Sequence, residues 1–63
     1  MRKGTVKFFN DTKGFGFITP SEGGQAIFVH ASGLMNEIRE NDIVSYNVQI
    51  DQKGVNAVNV RVA

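Results

Sequence analysis

Cysteine is absent from this 63-residue chain, which excludes disulfides and thiolate metal sites and fits a reducing compartment. Histidine occurs once, at His30, too few for a zinc site built on imidazoles, so no metal and no cofactor is expected. Long apolar runs are missing as well. Lys7 and Asn10 break the N-terminal stretch before it can form a signal-peptide core, and nothing approaches the length that spans a bilayer. A cytoplasmic protein with no membrane partner is expected. There is no Walker-type phosphate loop, and nothing organises Ser32 or Asp42 into a triad with His30. The chain is therefore expected not to be an enzyme and to take no small-molecule substrate. Its length allows one domain, residues 1–63. A domain of this size buries only about 60% of its unfolded surface and draws roughly 3–5 kcal/mol from its core.

Charge is present but nearly balanced, at a net +1. Its distribution is uneven. Residues 1–20 carry Arg2, Lys3, Lys7 and Lys13 against Asp11; residues 21–52 carry Arg39 against Glu22, Glu37, Glu40, Asp42 and Asp51; Lys53 and Arg61 follow. Positive charge thus gathers toward the chain ends, which a barrel can bring together. Charge alone is better explained as a scattered solvated surface.

Turn residues divide the chain into five short runs: Lys3 to Phe9, Phe15 to Thr19, Ala26 to His30, Ile43 to Ile50 and Val55 to Val62. The single proline, Pro20, ends the second run because it cannot donate to a strand ladder. Gly54 suits a turn with positive φ, and Asn41 suits a left-handed position. The connection from Ala31 to Asp42 has no sustained helical period, with room for one helical turn around Glu37. Short strands at this spacing predict an all-β fold, a small barrel.

Strand parity is the informative feature, because side chains two apart share a face. Phe15 and Phe17 share one face of the second run and Ile18 takes the other; Phe28 and His30 share one face of the third run, Ile27 and Val29 the other. Ile18, Ile27 and Val29, with Val44, Tyr46, Val48, Ile50, Val58, Val60 and Val62, supply an aliphatic lining. Phe15, Phe17, Phe28 and His30 then face solvent. Leaving a phenylalanine exposed forgoes roughly 1.5–3 kcal/mol of burial, so a contiguous aromatic patch marks a binding surface. The opposite arrangement, with the phenylalanines inward, leaves Gly14 and Gly16 without a role. In the outward arrangement these glycines let the strand coil and let a ligand approach the backbone. Phe8 shares parity with Val6, which reads as core, whereas a bulge in the first strand would turn it onto the patch. Parity leaves both orientations open.

Lys13-Gly14-Phe15-Gly16-Phe17-Ile18 matches the opening of the RNP1 pattern, with isoleucine for valine and Pro20 in place of its last aromatic. Ile27-Phe28-Val29-His30 looks like the companion RNP2 element. The order of the two is the reverse of that in the RNA recognition motif, which also needs helices that this chain lacks. With Gly4-Thr5-Val6-Lys7-Phe8-Phe9-Asn10 and Asn56-Ala57-Val58-Asn59-Val60, the chain resembles the free-standing bacterial cold-shock proteins from end to end. The resemblance implies a five-stranded antiparallel OB-fold barrel, a monomer, that binds single-stranded RNA and DNA and acts as an RNA chaperone and regulator of transcription and translation. Carried over residue by residue, it places the binding surface on Lys7, Phe8, Asn10, Lys13, Phe15, Phe17, Phe28 and His30, with Lys53 near the bases and Phe9 beside the surface. For Asn10 a contact to a base edge and a turn-starting role weigh equally.

The sequence departs from the family pattern in four places. Phe8 stands where many members have tryptophan, Ala31 where many have a further phenylalanine, and Val55 replaces a common proline. The Leu34 to Ile38 loop is short and lacks its aromatic. The Ala31 and loop changes remove two stacking platforms and imply a shorter footprint or weaker binding. The competing class is an SH3-like barrel gripping a proline-rich peptide, which would call for an acidic aromatic groove. Here the aromatic strands carry lysines instead.

Overall fold

β1 (Arg2–Asn10) and β2 (Phe15–Pro20) are joined by a turn that Asn10 starts and Gly14 closes. The computed structural model describes residues 1–52 and 54–63. The Asn10 carbonyl accepts from the Gly14 N–H at 2.7 Å, and Gly14 takes a φ of 76°, which disfavours a side chain there. β3 (Ile27–His30) leads into a 3-10 turn (Ala31–Gly33), and β4 (Ile43–Asp51) and β5 (Gly54–Val62) form the last hairpin. Strand boundaries match the sequence expectation to within a residue or so. The helical turn does not: it caps the end of β3 rather than forming around Glu37. Gly54 and Asn41 take positive φ, 117° and 73°, as expected.

The strands close into a barrel in the order β1-β2-β3-β5-β4. This is the all-β OB-fold barrel the sequence implies, with one refinement. Four pairings are antiparallel, but β3 and β5 run parallel, because the chain crosses the barrel end between them. Closure leaves no continuous free edge.

Two bulges decide which side chains enter the barrel. In β1 the register with β2 passes from Val6↔Ile18 to Phe8↔Phe17, so Lys7 is the extra residue. The strand reverses phase there. Val6 is buried, Phe9 packs partly buried against the core, and Phe8 turns outward. In β5 the register with β4 passes from Arg61↔Ser45 to Val58↔Asn47, three residues against two, and Asn59 takes a φ of 53°. Ala57 and Val60, three apart, are consequently both buried. One inward row then runs through all five strands: Phe9, Gly16, Val29, Ala57 and Val48.

The core comprises Val6, Ile18, Val29, Ile38, Val44, Tyr46, Ala57 and Val60, with Phe9, Ile27, Leu34 and Val48 packed against it. Three expected members lie elsewhere. Val58 is displaced by the Asn59 bulge, whereas Val62 keeps the phase of Val60, lies opposite buried Val44 and is exposed at the end of its strand. Ile50 keeps its parity but pairs with Val55 in the part of the β4–β5 hairpin that outruns β3, and it is 78% exposed. Their place is taken by Ile38, from the connection. That segment is held across the barrel end: the Val6 N–H donates to the Asp42 carbonyl and the Asn41 N–H to the Val6 carbonyl, both at 2.8 Å. Leu34 bridges to Val60 on the other side.

Gly16 has a different role from the one parity suggested. A Cβ there would strike the Phe8 carbonyl oxygen and come within 2.8 Å of the Phe9 Cα. The approach that demands glycine is β1 bending over β2 at the Lys7 bulge, inside the protein, rather than a ligand.

Tyr46 is fully buried, and its hydroxyl finds no hydrogen-bond partner among the described residues. Burial pushes its pKa above the ordinary 10.0; Arg2 opposes this and Glu22 adds to it. A phenol with a raised pKa holds its proton more tightly folded than unfolded, so stability is lost as pH rises past 10.0. Tyr46→Phe removes an unsatisfied buried oxygen. Its urea midpoint at about pH 8 should equal or exceed wild type, and between about pH 9 and 11 it should fall less steeply. Parallel slopes in that window would refute the assignment.

Candidate nucleic-acid interface

The outward face is built by the same register as the core. Phe8 lies opposite Phe17, Phe17 opposite Phe28, Phe28 beside Asn56, and Asn56 opposite Gln49. One row therefore wraps the barrel, with three rings followed by two amides. A second row sets Asn10 opposite Phe15 and Phe15 opposite His30.

The four rings pack on one another. Phe8 and Phe17 have centroids 5.5 Å apart, Phe15 and Phe28 stack at 5.9 Å with planes at 21°, and Phe17 meets Phe28 edge-on at 5.8 Å. Phe8 also meets Phe15 edge-on at 6.2 Å. Such pairs contribute about 0.5–1.5 kcal/mol each, offsetting part of the cost of keeping rings at the surface. Phe8 is 37% exposed and the other three are half-buried against their neighbours. The result is a fixed platform with ring area open to solvent.

His30 is exposed and its ring is held. Nδ1 accepts from the Ser32 backbone N–H at 3.1 Å, and the Ser32 Oγ lies 2.9 Å from the same nitrogen. With Nδ1 accepting, the neutral ring carries its proton on Nε2. This serine–histidine contact is local capping of the 3-10 turn, with His30 as its N-cap. Asp42 is engaged elsewhere, accepting from the Arg39 N–H at 2.9 Å, so the three residues form no triad.

The remaining expected site residues fall as follows. Lys7 is the exposed bulge residue beside Phe8, and Lys13 is exposed in the β1–β2 turn. The Asn10 Oδ1 accepts from the Lys13 N–H at 3.0 Å, so its carbonyl end serves the turn. Lys53 lies outside the described residues. Ala31 is exposed beside Gly14 and presents no ring.

Next to the rings is a groove of about 620 Å³, with Phe17, Phe28 and His30 on one side and Gln49, Asn56 and Val58 on the other. Gln49 and Asn56 were not expected at the site. Their placement depends on β3 and β5 running side by side, a long-range pairing with no local sequence signal. The Asn56 Nδ2 donates to the Asp51 Oδ2 at 2.5 Å, which fixes the amide along the groove wall. Among the described residues no three His, Cys, Asp or Glu side chains cluster as metal ligands would, and no helix is long and apolar enough to cross a membrane.

Residues 2–63 match the model of the 'Cold-shock' DNA-binding domain family. The cold shock-like protein CspC of Buchnera aphidicola is 48% identical over 62 residues, covering 92% of this chain and 90% of that protein. Its Escherichia coli K12 counterpart is 47% identical with the same coverage. Cold shock domain-containing protein 4 of Arabidopsis thaliana is 47% identical over 57 residues, 84% of this chain but only 28% of that larger protein. Among solved structures, drosophila Unr CSD456 superposes with a TM-score of 0.81 at 26% identity, over 98% of this chain and 26% of that one. The barrel, its outward aromatic row and these matches agree: the chain belongs to the cold-shock domain family of nucleic-acid-binding proteins.

Proposed function

We propose that the protein binds single-stranded RNA and DNA by stacking bases on Phe8, Phe17, Phe28 and His30, with Phe15 supporting the platform from behind. Lys7, Lys13 and Lys53 meet phosphates or base edges. The observation that carries this reading is the unbroken outward row Phe8–Phe17–Phe28, whose rings lie across three neighbouring strands. Every base has a π-face, so such a row grips a strand with little regard for sequence, at about 1–3 kcal/mol per stacked base. It acts as a monomeric single domain in the cytoplasm.

Calorimetric titration with oligo(U) and oligo(dT) tests this directly, because the only tyrosine is sealed in the core and is a poor reporter. Wild type should bind in the micromolar range or tighter. Phe17→Ala and Phe28→Ala, checked for folding by their thermal transitions, should each bind about 5- to 150-fold more weakly. Folded wild type that binds neither oligomer would sink the proposal.

Ala31 and the short Leu34–Ile38 segment bring no further ring to the groove. A hexanucleotide and a nonanucleotide should therefore bind within a fewfold of each other, and a large gain from the longer strand would contradict the short footprint.

Stacking on unpaired bases is blocked in a duplex. Binding the open form alone shifts the pairing equilibrium by mass action, which makes a chaperone that needs no nucleotide hydrolysis. Through this action the protein modulates structured messages in transcription and translation. A fluorophore–quencher RNA hairpin should open as saturating protein is added; one that stays closed would count against the chaperone role.

A further inference from the structure

His30 is the chain's only histidine and lines the groove with Phe17 and Phe28. Its Nδ1 is engaged twice by one residue. The Ser32 backbone N–H donates to it at 3.1 Å, and the Ser32 hydroxyl lies closer, at 2.9 Å. The two contacts differ in kind. A backbone N–H only donates, so it holds the ring only while Nδ1 carries a lone pair. A hydroxyl donates or accepts: it gives its proton to the neutral Nδ1 and receives Nδ1–H from the imidazolium. The other nitrogen, Nε2, makes no hydrogen bond among the described residues and carries a proton in both states.

We propose that Ser32 is a positioning residue of the interface: its hydroxyl keeps the His30 ring in one orientation in both charge states, with Nε2–H a donor to a phosphate oxygen of the bound strand. The proposal rests on the stacking reading above and adds how this ring is aimed and how the grip answers to acid. Protonation puts charge on a donor already in place, and a charged donor bonds phosphate about twice as strongly as a neutral one. The bound strand favours the protonated ring, so binding tightens as pH falls through the range in which histidines titrate. Without the hydroxyl the neutral ring is still held by the Ser32 N–H. The imidazolium then sets Nδ1–H against that N–H, donor against donor, and swings off the 3-10 turn. Of the elements packed against β3, β2 and the 3-10 turn carry no charge, and β5 carries only Arg61, beyond the Asn59 bulge. Asp51 stands on the far wall of the groove, and Asp11 and Lys13 lie in the β1–β2 turn, where the Gly14 carbonyl accepts from the Ala31 N–H at 2.8 Å. None of these is altered by a change at Ser32.

The test is calorimetric titration with a thymidine heptamer lacking terminal phosphates, a strand in which nothing titrates between about pH 5.5 and 8, at both ends of that range and constant ionic strength. Wild type should bind about fivefold more tightly at the lower pH. Ser32→Ala, verified as folded at both pH values, should bind like wild type at the higher pH and show none of the gain. Ser32→Thr, which keeps the hydroxyl, should retain it, and His30→Phe, which keeps a stacking ring, should bind with a ratio near one. Equal binding by wild type at the two pH values would overturn the proposal while leaving stacking intact. So would a gain that survives in Ser32→Ala or His30→Phe, or a folded Ser32→Thr that behaves like Ser32→Ala. A merely structural role for Ser32 would weaken Ser32→Ala equally at both pH values, which would also overturn it. If wild type bound at neither pH, the stacking reading itself would fall and this one with it.

Discussion

A single extra residue, Lys7, inserted where β1 passes β2, decides which of two adjacent phenylalanines the core receives. Side chains alternate along a strand, so a chain with Val6 inside would also place Phe8 inside and Phe9 outside. The bulge reverses that order. Phe9 enters the row that Gly16, Val29, Ala57 and Val48 complete, and Phe8 joins Phe17 and Phe28 on the surface. Gly16 follows from the same event, since the bent strand leaves no space for a Cβ beneath Phe8 and Phe9. Core closure and the assembly of the aromatic face are one geometric fact seen from two sides of the sheet.

Rings held at a surface tend to be mobile, and ordering them on contact with a ligand would weaken binding. Here each ring is restrained by the others: Phe15 stacks on Phe28, while Phe8 and Phe17 lean on neighbours at 46–78°. His30, at the margin, is held through Ser32. Phe15, Phe17 and Phe28 thus cover one another in part while each keeps area at the surface. This reconciles exposed aromatics with a domain that has little stability to spare.

Much of this was legible in the sequence, and what was not has a common cause. The five strands, their turns and the outward aromatics of β2 and β3 follow from turn residues and parity, because no bulge interrupts those two strands. Parity carries a phase only as far as the next bulge. In β5 the Asn59 bulge lies mid-strand, so counting back from Val60 named Val58 as lining where Ala57 is the buried residue, while Val62 keeps its phase and is exposed only because the strand ends there. Ile50 failed for another reason: its phase is right, but the hairpin outruns the strands that would cover it. Ile38, the one fully buried side chain of the connection, shows that a loop crossing the open end of a small barrel can supply its plug. Gly16 was recognised as a constraint and assigned to the wrong neighbour, since close approach looks the same in sequence whether a ligand or a strand does the approaching.

The amides escaped notice because they belong to the face through pairings, not composition. β3 and β5 are far apart in the chain and run parallel, so nothing local announces that Asn56 stands beside Phe28. Yet the order of the row has a consequence that its members taken singly do not. Rings contribute attraction common to all bases, whereas a fixed amide contributes attraction that depends on which edge faces it. Phe28 on β3 and Asn56 on β5 set the two kinds of side chain in adjacent strands of one face. The barrel closure that seals the core on the inside therefore also decides, on the outside, where the row passes from rings to amides.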